Sequence, residues 1–388
     1  MQIIIPMSGF GERFRKAGYK IPKPLINVNK RPIISYVIDM FPGESDFIFI
    51  CNQEHLENSD FALEKTLKKY CPSGKIVSIA SHKLGPVYAV TKAFEFINNH
   101  KPVVVNYCDF SCYWDWNHFK DFVNTSKCDA AIPAYKGFHP HSLGTTNYAY
   151  IKESNKYIYD IQEKKPFTKD RMSEYASSGT YYFSSGLLMK DSFVEAISND
   201  LSTNGEFYVS LSYKNLINRN KEILLYPIQH FMQWGTPEDL HEYQMWSNLF
   251  DALIKKKLSQ TNSFGSLVVP MAGQGQRFVD EGYKKPKPMI KVTGEPMVIQ
   301  SVKSLPKARH NHFILRSDMN GFNEIRDNLN KSFENCSFST LSSLSKGQAT
   351  TAFHGITKLL THSENINPIT IAACDNGVIY DYKKLEKL

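Results

Sequence analysis

One stretch of this sequence is written twice, and the duplication limits its architecture more than any other feature. Ile5-Pro6-Met7-Ser8-Gly9-Phe10-Gly11-Glu12-Arg13-Phe14 is answered by Val269-Pro270-Met271-Ala272-Gly273-Gln274-Gly275-Gln276-Arg277-Phe278. Gly18-Tyr19-Lys20-Ile21-Pro22-Lys23-Pro24-Leu25-Ile26 is answered, at the same spacing, by Gly282-Tyr283-Lys284-Lys285-Pro286-Lys287-Pro288-Met289-Ile290. A repeat this far apart is no solenoid unit; it reads as duplication of a domain. Between the copies lies Ser259–Ser266, SQTNSFGS, polar and small as a linker should be. Before it, Thr236-Pro237-Glu238-Asp239 has the form of a helix start, with Thr236 as N-cap, proline at the first helical position and acids in the first turn. Leu240, Tyr243, Trp246 and Leu249 continue it as the apolar face of a closing helix. We expect one domain over 1–258, a linker over 259–266 and a second, partial domain over 267–388.

The 388 residues carry a formal charge of +8 without any long Lys/Arg block. Aromatic residues do not interleave with a basic stripe, which argues against nucleic acid and suits polyphosphate substrates. The start, MQIIIPM, has neither the basic nor the long apolar region of a signal peptide, and no stretch approaches a membrane span. Seven cysteines with no CxxC pair read as reduced thiols of a cytoplasmic protein.

Short apolar runs at Gln2–Met7, Phe47–Cys51, Lys75–Ala80 and Val103–Cys108 predict buried strands. Helical candidates intervene at Ile33–Met40, about His55–Tyr70 and Val87–Asn99. Strands alternating with helices predict an α/β fold, a Rossmann-like three-layer α/β/α arrangement on a mostly parallel sheet. The segment from Asp129 to Ser185 is strand-rich and is expected to extend that sheet. Ligands of such sheets bind beyond the carboxyl ends of the strands. The loop Ser8–Arg13 and Asp109 both follow predicted strands and should converge there.

Gly9 and Gly11 leave the backbone bare enough to approach a polyphosphate. Arg13 follows at short range, and Pro22 and Pro24 hold Lys23 rigidly between them. Phe14 excludes the dinucleotide GxGxxG pattern, and no GK[ST] follows to make a Walker A loop. The whole stretch resembles the G-x-G-x-R-(x)n-P-K-P signature of the sugar-phosphate nucleotidyltransferases, the pyrophosphorylase superfamily, whose fold is GT-A-like. The resemblance covers the first domain. It implies transfer of a nucleotidyl group from an NTP to a sugar 1-phosphate or similar small phosphate ester, with release of pyrophosphate and with Mg²⁺ as cofactor.

On that resemblance, Met7, Ser8, Gly9 and Gly11 form the nucleotide loop, and Gly85 in His82-Lys83-Leu84-Gly85-Pro86 lies against the base. Asp109 in Tyr107-Cys108-Asp109-Phe110 holds the metal. Glu163 and Lys164 bind the acceptor, and Gly179 precedes an aromatic strand beside it. Gly235-Thr236-Pro237-Glu238 matches the closing motif. Arg13 should grip the leaving pyrophosphate through its planar fork. Lys23 should sit on the α-phosphate, where charge develops. Lys164 should hold the acceptor phosphate, whose oxygen is then the nucleophile.

Two positions depart from the pattern. Gln233 stands where the family often has a second metal aspartate, and Glu12 where it often has Thr or Ser. A carboxylate at Glu12 should point away from the pyrophosphate or repel it. The second copy keeps Gly273, Gly275, Arg277 and Lys287, adds Gly347 in Lys346-Gly347-Gln348-Ala349, and places Asp375 as the counterpart of Asp109, a second metal position. It has no acceptor half, so it could bind a nucleotide but not complete the reaction by itself; a degenerate repeat, a regulatory or oligomerisation module, and part of a second enzyme cut short all stay open.

The motif variant with RF and GYxxPKP resembles members found in surface and capsular polysaccharide pathways. That implies CTP, UTP or dTTP as donor, with a cytidylyltransferase preferred; a homo-oligomer is compatible with the second unit. Two rivals remain open. A GT-A-type glycosyltransferase would want a DxD motif, whereas Asp109 is followed by Phe110-Ser111. A non-catalytic nucleotide-binding or regulatory protein would explain Gln233 and the short second copy.

Overall fold

The computed structural model describes residues 1–139, 142, 144, 147–254, 263, 265–362, 367–380, 382–385 and 387. Two compact units result, Met1–Ser247 and Asn248–Leu388. The division falls inside the helix Pro237–Ile254 rather than near 258. Most of the expected linker, 259–262 and 264, lies outside the described residues. Thr236 caps the helix as expected, its Oγ1 accepting from Asp239 N at 3.1 Å. Of the expected apolar face only Leu240 is fully buried, and Trp246 is 45% exposed.

Numbering only strands of three or more residues, the first unit carries β1 (Gln2–Met7), β2 (Asp46–Asn52), β3 (Lys75–Ile79), β4 (Val103–Asn106), β5 (Phe110–Tyr113) and β6 (Ala130–Tyr135). There follow β7 (Ala149–Ser154), β8 (Tyr157–Glu163), β9 (Tyr175–Ser177), β10 (Thr180–Phe183), β11 (Ile223–Pro227) and β12 (His230–Gln233). Ten of these form one sheet in the order β9-β7-β8-β11-β6-β10-β4-β1-β2-β3. β5 and β12 pair separately as an antiparallel ribbon.

The stretch β3-β2-β1-β4 is parallel, because helices return the chain across the sheet. Beyond β4 most pairings are antiparallel, with β6–β11 parallel, so the sheet is mixed. The change begins where β10 pairs antiparallel with β4, and one later antiparallel pair, β7–β8, is local. Asn155 and Lys156 both take positive φ, 50° and 72°, the backbone of a tight two-residue hairpin.

Successive residues of β1 enter opposite layers. Ile3, Ile5 and Met7 pack with Phe14, Val37, Phe47 and Leu67, whereas Ile4 packs with Ile48, Val90, Phe193 and Tyr213. The helix expected over His55–Tyr70 is broken into Gln53–Glu57, a 3₁₀ turn at Ser59–Phe61, and Leu63–Tyr70. Asn58 accepts from Asp60 N and starts the turn, and Ala62 takes left-handed φ 48° between the last two pieces. The helix expected over Val87–Asn99 is shorter, Gly85–Thr91.

The second unit has β13 (Ser266–Pro270), β14 (His310–Arg316), β15 (Cys336–Leu341) and β16 (Ile369–Ile371) in the all-parallel order β15-β14-β13-β16. All seven cysteines are free thiols. Among the described residues no helix is long and apolar enough to cross a membrane.

Packing between layers can be tested at Gly186, which opens the helix Gly186–Ser198. A Cβ there would stand 2.2 Å from the carbonyl oxygen of Asn98, a backbone atom that cannot swing aside. Gly186→Ala should cost ~1–3 kcal/mol by overpacking, read from the urea midpoint. Gly9→Ala, whose Cβ meets nothing within 4 Å, should stay within ~0.5 kcal/mol of the wild type.

Candidate active site

β1 runs between β2 and β4, so its carboxyl end opens where their loops also leave the sheet. The chain there is fixed from below by the buried Asn52, whose amide donates to Ser8 O at 3.3 Å. Ser8 Oγ lies 3.2 Å from His82 Nε2. Gly11 takes φ 62°, the left-handed geometry that turns the loop into the short helix Glu12–Lys16. Phe14 is buried edge-on against Tyr19 at 5.1 Å.

Pro22 and Pro24 frame a 3₁₀ turn at Lys23–Leu25 that sends the Lys23 side chain back toward this loop. Its ammonium lies 5.5 Å from the Phe14 ring, donates to Asp109 Oδ2 at 2.6 Å, and donates to Gly235 O at 2.9 Å. Asp109 reaches that position because the chain leaves the sheet after Asn106, two residues before the predicted strand end. Tyr107 N there bonds Gly179 O at 3.0 Å, and Trp234 N bonds Asp109 O at 3.0 Å. The β5–β12 ribbon thus carries Gly235 to the same point.

A cavity of about 520 Å³ opens here. Its wall includes Met7, Ser8, Gly9, Gly11, Arg13, Lys23, Gly85 and Asp109. Arg13 is exposed, and its side chain makes no ion pair or hydrogen bond among the described residues. Gly85 takes φ 84°, and a Cβ there would come within 2.7 Å of Phe207 N. Its close approach is therefore to the 206–207 backbone. Glu12 also lines the cavity, and its carboxylate pairs with Lys83 Nζ at 2.7 Å. That hydrogen bond and charge hold its pKa below the usual value. The repulsion expected of Glu12 is thereby offset by a lysine outside the recognised motif.

Glu163, Lys164 and Gly179 stand off this wall. Lys164, with φ 58°, donates to the hydroxyl of Tyr208, which itself bonds Glu206. Tyr208 and Glu206 both line the cavity, and neither is marked by any sequence pattern. Gly179 is buried, and a Cβ there would meet Phe110 at 3.0 Å and Tyr107 at 3.2 Å. Its visible task is to let β10 approach those rings. Arg277, Lys287, Gly347 and Asp375 belong to the second unit, where Lys287 pairs with Asp375 as Lys23 does with Asp109.

Gln233 is engaged with Asp239, whose carboxyl burial pushes upward and Gln233 and Thr236 pull back. The other oxygen, Asp239 Oδ2, is buried with no hydrogen-bond partner. Among the described residues no three His, Cys, Asp or Glu side chains gather as a ready metal cage. A hard cation that keeps phosphate oxygens and waters as ligands needs only one or two carboxylates. Asp109, on the cavity wall beside Lys23, fits that role alone.

The Nucleotidyl transferase family profile matches residues 2–243. The chain is 27% identical over 150 residues to a mannose-1-phosphate guanyltransferase of Debaryomyces hansenii, which is 37% of this chain and 40% of that protein. It is 21% identical over 212 residues to the bifunctional protein GlmU of Fervidobacterium nodosum, 54% of this chain and 42% of that protein. The chain thus spans about two-fifths of the length of these curated relatives. Among solved structures, a nucleoside-diphosphate-sugar pyrophosphorylase from Vibrio cholerae RC9 superposes with TM-score 0.50 at 20% identity, covering 63% of this chain and 100% of that one. A UDP-glucose pyrophosphorylase complexed with UDP-glucose gives 0.51 at 18%, covering 66% and 98%. These likenesses establish the fold.

The Glu163 carboxyl is enclosed although the residue as a whole is half-buried, and burial pushes its pKa from 4.5 up to about 7, against the opposing pull of Ser210 Oγ at 2.5 Å and of Lys164. A carboxyl raised on folding stabilises the fold below its unfolded value, and that contribution is lost as pH rises through about 7. Urea midpoints between about pH 5 and about pH 8 should therefore fall less in Glu163→Gln than in the wild type. Equal falls would contradict an enclosed Glu163 carboxyl.

Proposed function

Since the chain belongs to the nucleotidyl transferase family, we propose that its first unit transfers a nucleotidyl group from an NTP to a sugar 1-phosphate and releases pyrophosphate. The observation that carries this reading is Lys23 held by Asp109 and Gly235 inside the cavity at the end of β1. A cation rigidly placed beside a carboxylate and next to a bare glycine loop suits a phosphorus centre that gains charge as it reacts.

The roles follow from placement. The Ser8–Gly11 backbone receives the triphosphate. Arg13, exposed and without an ion-pair partner among the described residues, can close on the outer phosphates with its fork. Lys23 stands at the α-phosphate, and Asp109 would hold Mg²⁺, which when bound neutralises charge shared among phosphate oxygens. On the acceptor side, Lys164 and Tyr208 form a hydrogen-bonded pair at the cavity edge. There Lys164 can receive the acceptor phosphate, and Glu163 can accept from acceptor hydroxyls. The acceptor phosphate oxygen attacks the α-phosphorus in line, and pyrophosphate leaves toward Arg13.

The name of the Debaryomyces hansenii relative supports a sugar 1-phosphate as acceptor. The RF and GYxxPKP variant supports a pyrimidine donor, CTP first, and a place in surface polysaccharide precursor synthesis. Seven unpaired thiols support a reducing, cytoplasmic setting.

Pyrophosphate release from CTP, UTP, dTTP, GTP and ATP with sugar 1-phosphates and Mg²⁺ tests the proposal. Lys23→Ala and Asp109→Ala should each lower kcat by ~10²–10³-fold. Unchanged rates in both would remove them from the chemistry.

A further inference from the structure

The reaction proposed above draws its cations for the NTP from the recognised signature, Arg13 and Lys23, yet a third cation stands on the same cavity wall. Lys83 lines the cavity together with Phe10, Glu12 and His82. The loop that carries it is fixed on both sides. Leu84 N donates to His82 Nδ1 at 3.2 Å, so that nitrogen bears no proton. The ring proton is then on Nε2, which donates to Ser8 Oγ at 3.2 Å. Burial pushes the His82 pKa below its usual value and so favours this neutral form. On the other side Phe207 N donates to Leu84 O at 2.9 Å, and Val87 N donates to Phe207 O at 3.1 Å. The backbone around Lys83 is thus tied to the glycine loop and to the 207 segment, whereas its side chain is 74% exposed and free to swing.

The partner that Lys83 has in this structure holds it only weakly. Its ammonium lies 2.7 Å from the Glu12 carboxylate and 5.9 Å from the Phe10 ring. Glu12 is 53% exposed, and an exposed ion pair gains little once screening and side-chain entropy are counted. A charge-assisted bond to phosphate, in a cavity already carrying Arg13 and Lys23, is the stronger contact. Glu12 is not stranded when Lys83 leaves it. Lys16 follows four residues on, along the short helix Glu12–Lys16, and a glutamate before a lysine at that spacing is a favourable helical pair. Lys83 lowers the Glu12 pKa first, and Lys16 and Arg15 lower it further, so a second source of positive charge is already within reach.

We infer that Lys83 is a phosphate ligand of the first unit, released from Glu12 when the outer phosphates of an NTP enter and bonded to them instead. Lys23 is fixed by Asp109 and Gly235 O and stays where it is; Lys83 supplies the mobile charge from the opposite loop. A nucleoside monophosphate, which lacks the outer phosphates, does not engage it. Triphosphate as the ligand class rests on the function proposed for the first unit; the availability of Lys83 rests on its own contacts.

Isothermal titration of the full chain with CTP, UTP, dTTP, GTP and ATP, each with Mg²⁺, and with the corresponding monophosphates tests this on the wild type, Lys83→Ala, Glu12→Gln and the double variant. Both positions are exposed, so neither substitution disturbs packing. For a triphosphate that the wild type binds, Lys83→Ala should weaken Kd about tenfold, the worth of one charge-assisted hydrogen bond, and leave the monophosphate unchanged. Glu12→Gln should tighten the triphosphate, because Lys83 is then already free. The discriminating comparison is Lys83→Ala in the Glu12→Gln background. A phosphate ligand is missed there too, again about tenfold, whereas a lysine that only neutralises Glu12 is not missed at all. Equal triphosphate affinity in Glu12→Gln and the double variant overturns the inference, as does an equal loss of monophosphate and triphosphate in Lys83→Ala. Wild-type binding that Lys83→Ala leaves unchanged defeats the role of Lys83 and leaves the NTP reading standing. Binding of none of the five by the wild type defeats the NTP reading itself and the inference with it.

Discussion

The Lys23 ammonium is where the first unit's distant segments are tied together. It reaches from the Pro22–Pro24 turn to Asp109 after β4 and to the Gly235 carbonyl after β12, with the Phe14 ring beneath it. Three stretches far apart in sequence converge on one nitrogen, and each is brought there by separate backbone structure. Its carboxylate partner does two things at once. It accepts from a half-buried ammonium at 2.6 Å, and it fixes where that positive charge sits beside the glycine loop. The surrounding elements serve that placement. The parallel strands deliver the loop ends, the β5–β12 ribbon delivers Gly235, and the segment before the helix Val209–Asn218 brings Glu206 and Tyr208 to the wall, with Lys164 bonded to Tyr208.

Much of this was legible in the sequence, because it depends on short-range rules. Apolar runs gave β1, β2 and β4 nearly to the residue, since strands buried on both faces leave no other pattern. The glycine loop, the Pro-Lys-Pro turn and Asp109 came from motif residues whose spacing reflects backbone geometry. The mixed sheet was less visible. Its turning point is the antiparallel pairing of β10 with β4, strands far apart in sequence whose contact no local pattern marks. The breaks near Asn58 and Ala62 were hidden for a similar reason, because alanine at positive φ carries no mark of its own.

The side chains that touch the site's charged residues were the least legible. Lys83 pairs with Glu12 from a loop far away in sequence, and Gln233 interacts with Asp239. Such pairings follow from where loops meet, which tertiary packing decides. Gly85 and Gly179 show the converse. Their residue type was readable, but the structure ties both to close contacts with Phe207, Tyr107 and Phe110. The two units together make a comparison within one chain. Lysine, aspartate, glycine loop and aromatic brace recur, while Asn52 becomes Arg316, paired with Asp318, and Glu12, paired with Lys83, becomes Gln276.

The central claim is that the first unit directs an acceptor phosphate oxygen to an α-phosphorus beside Lys23. ³¹P NMR of the products formed from an NTP and a sugar 1-phosphate observes that bond directly. The account predicts two coupled, non-equivalent phosphorus signals of a new phosphoanhydride, appearing in step with pyrophosphate. Consumption of the NTP to orthophosphate with the sugar phosphate unchanged would contradict it.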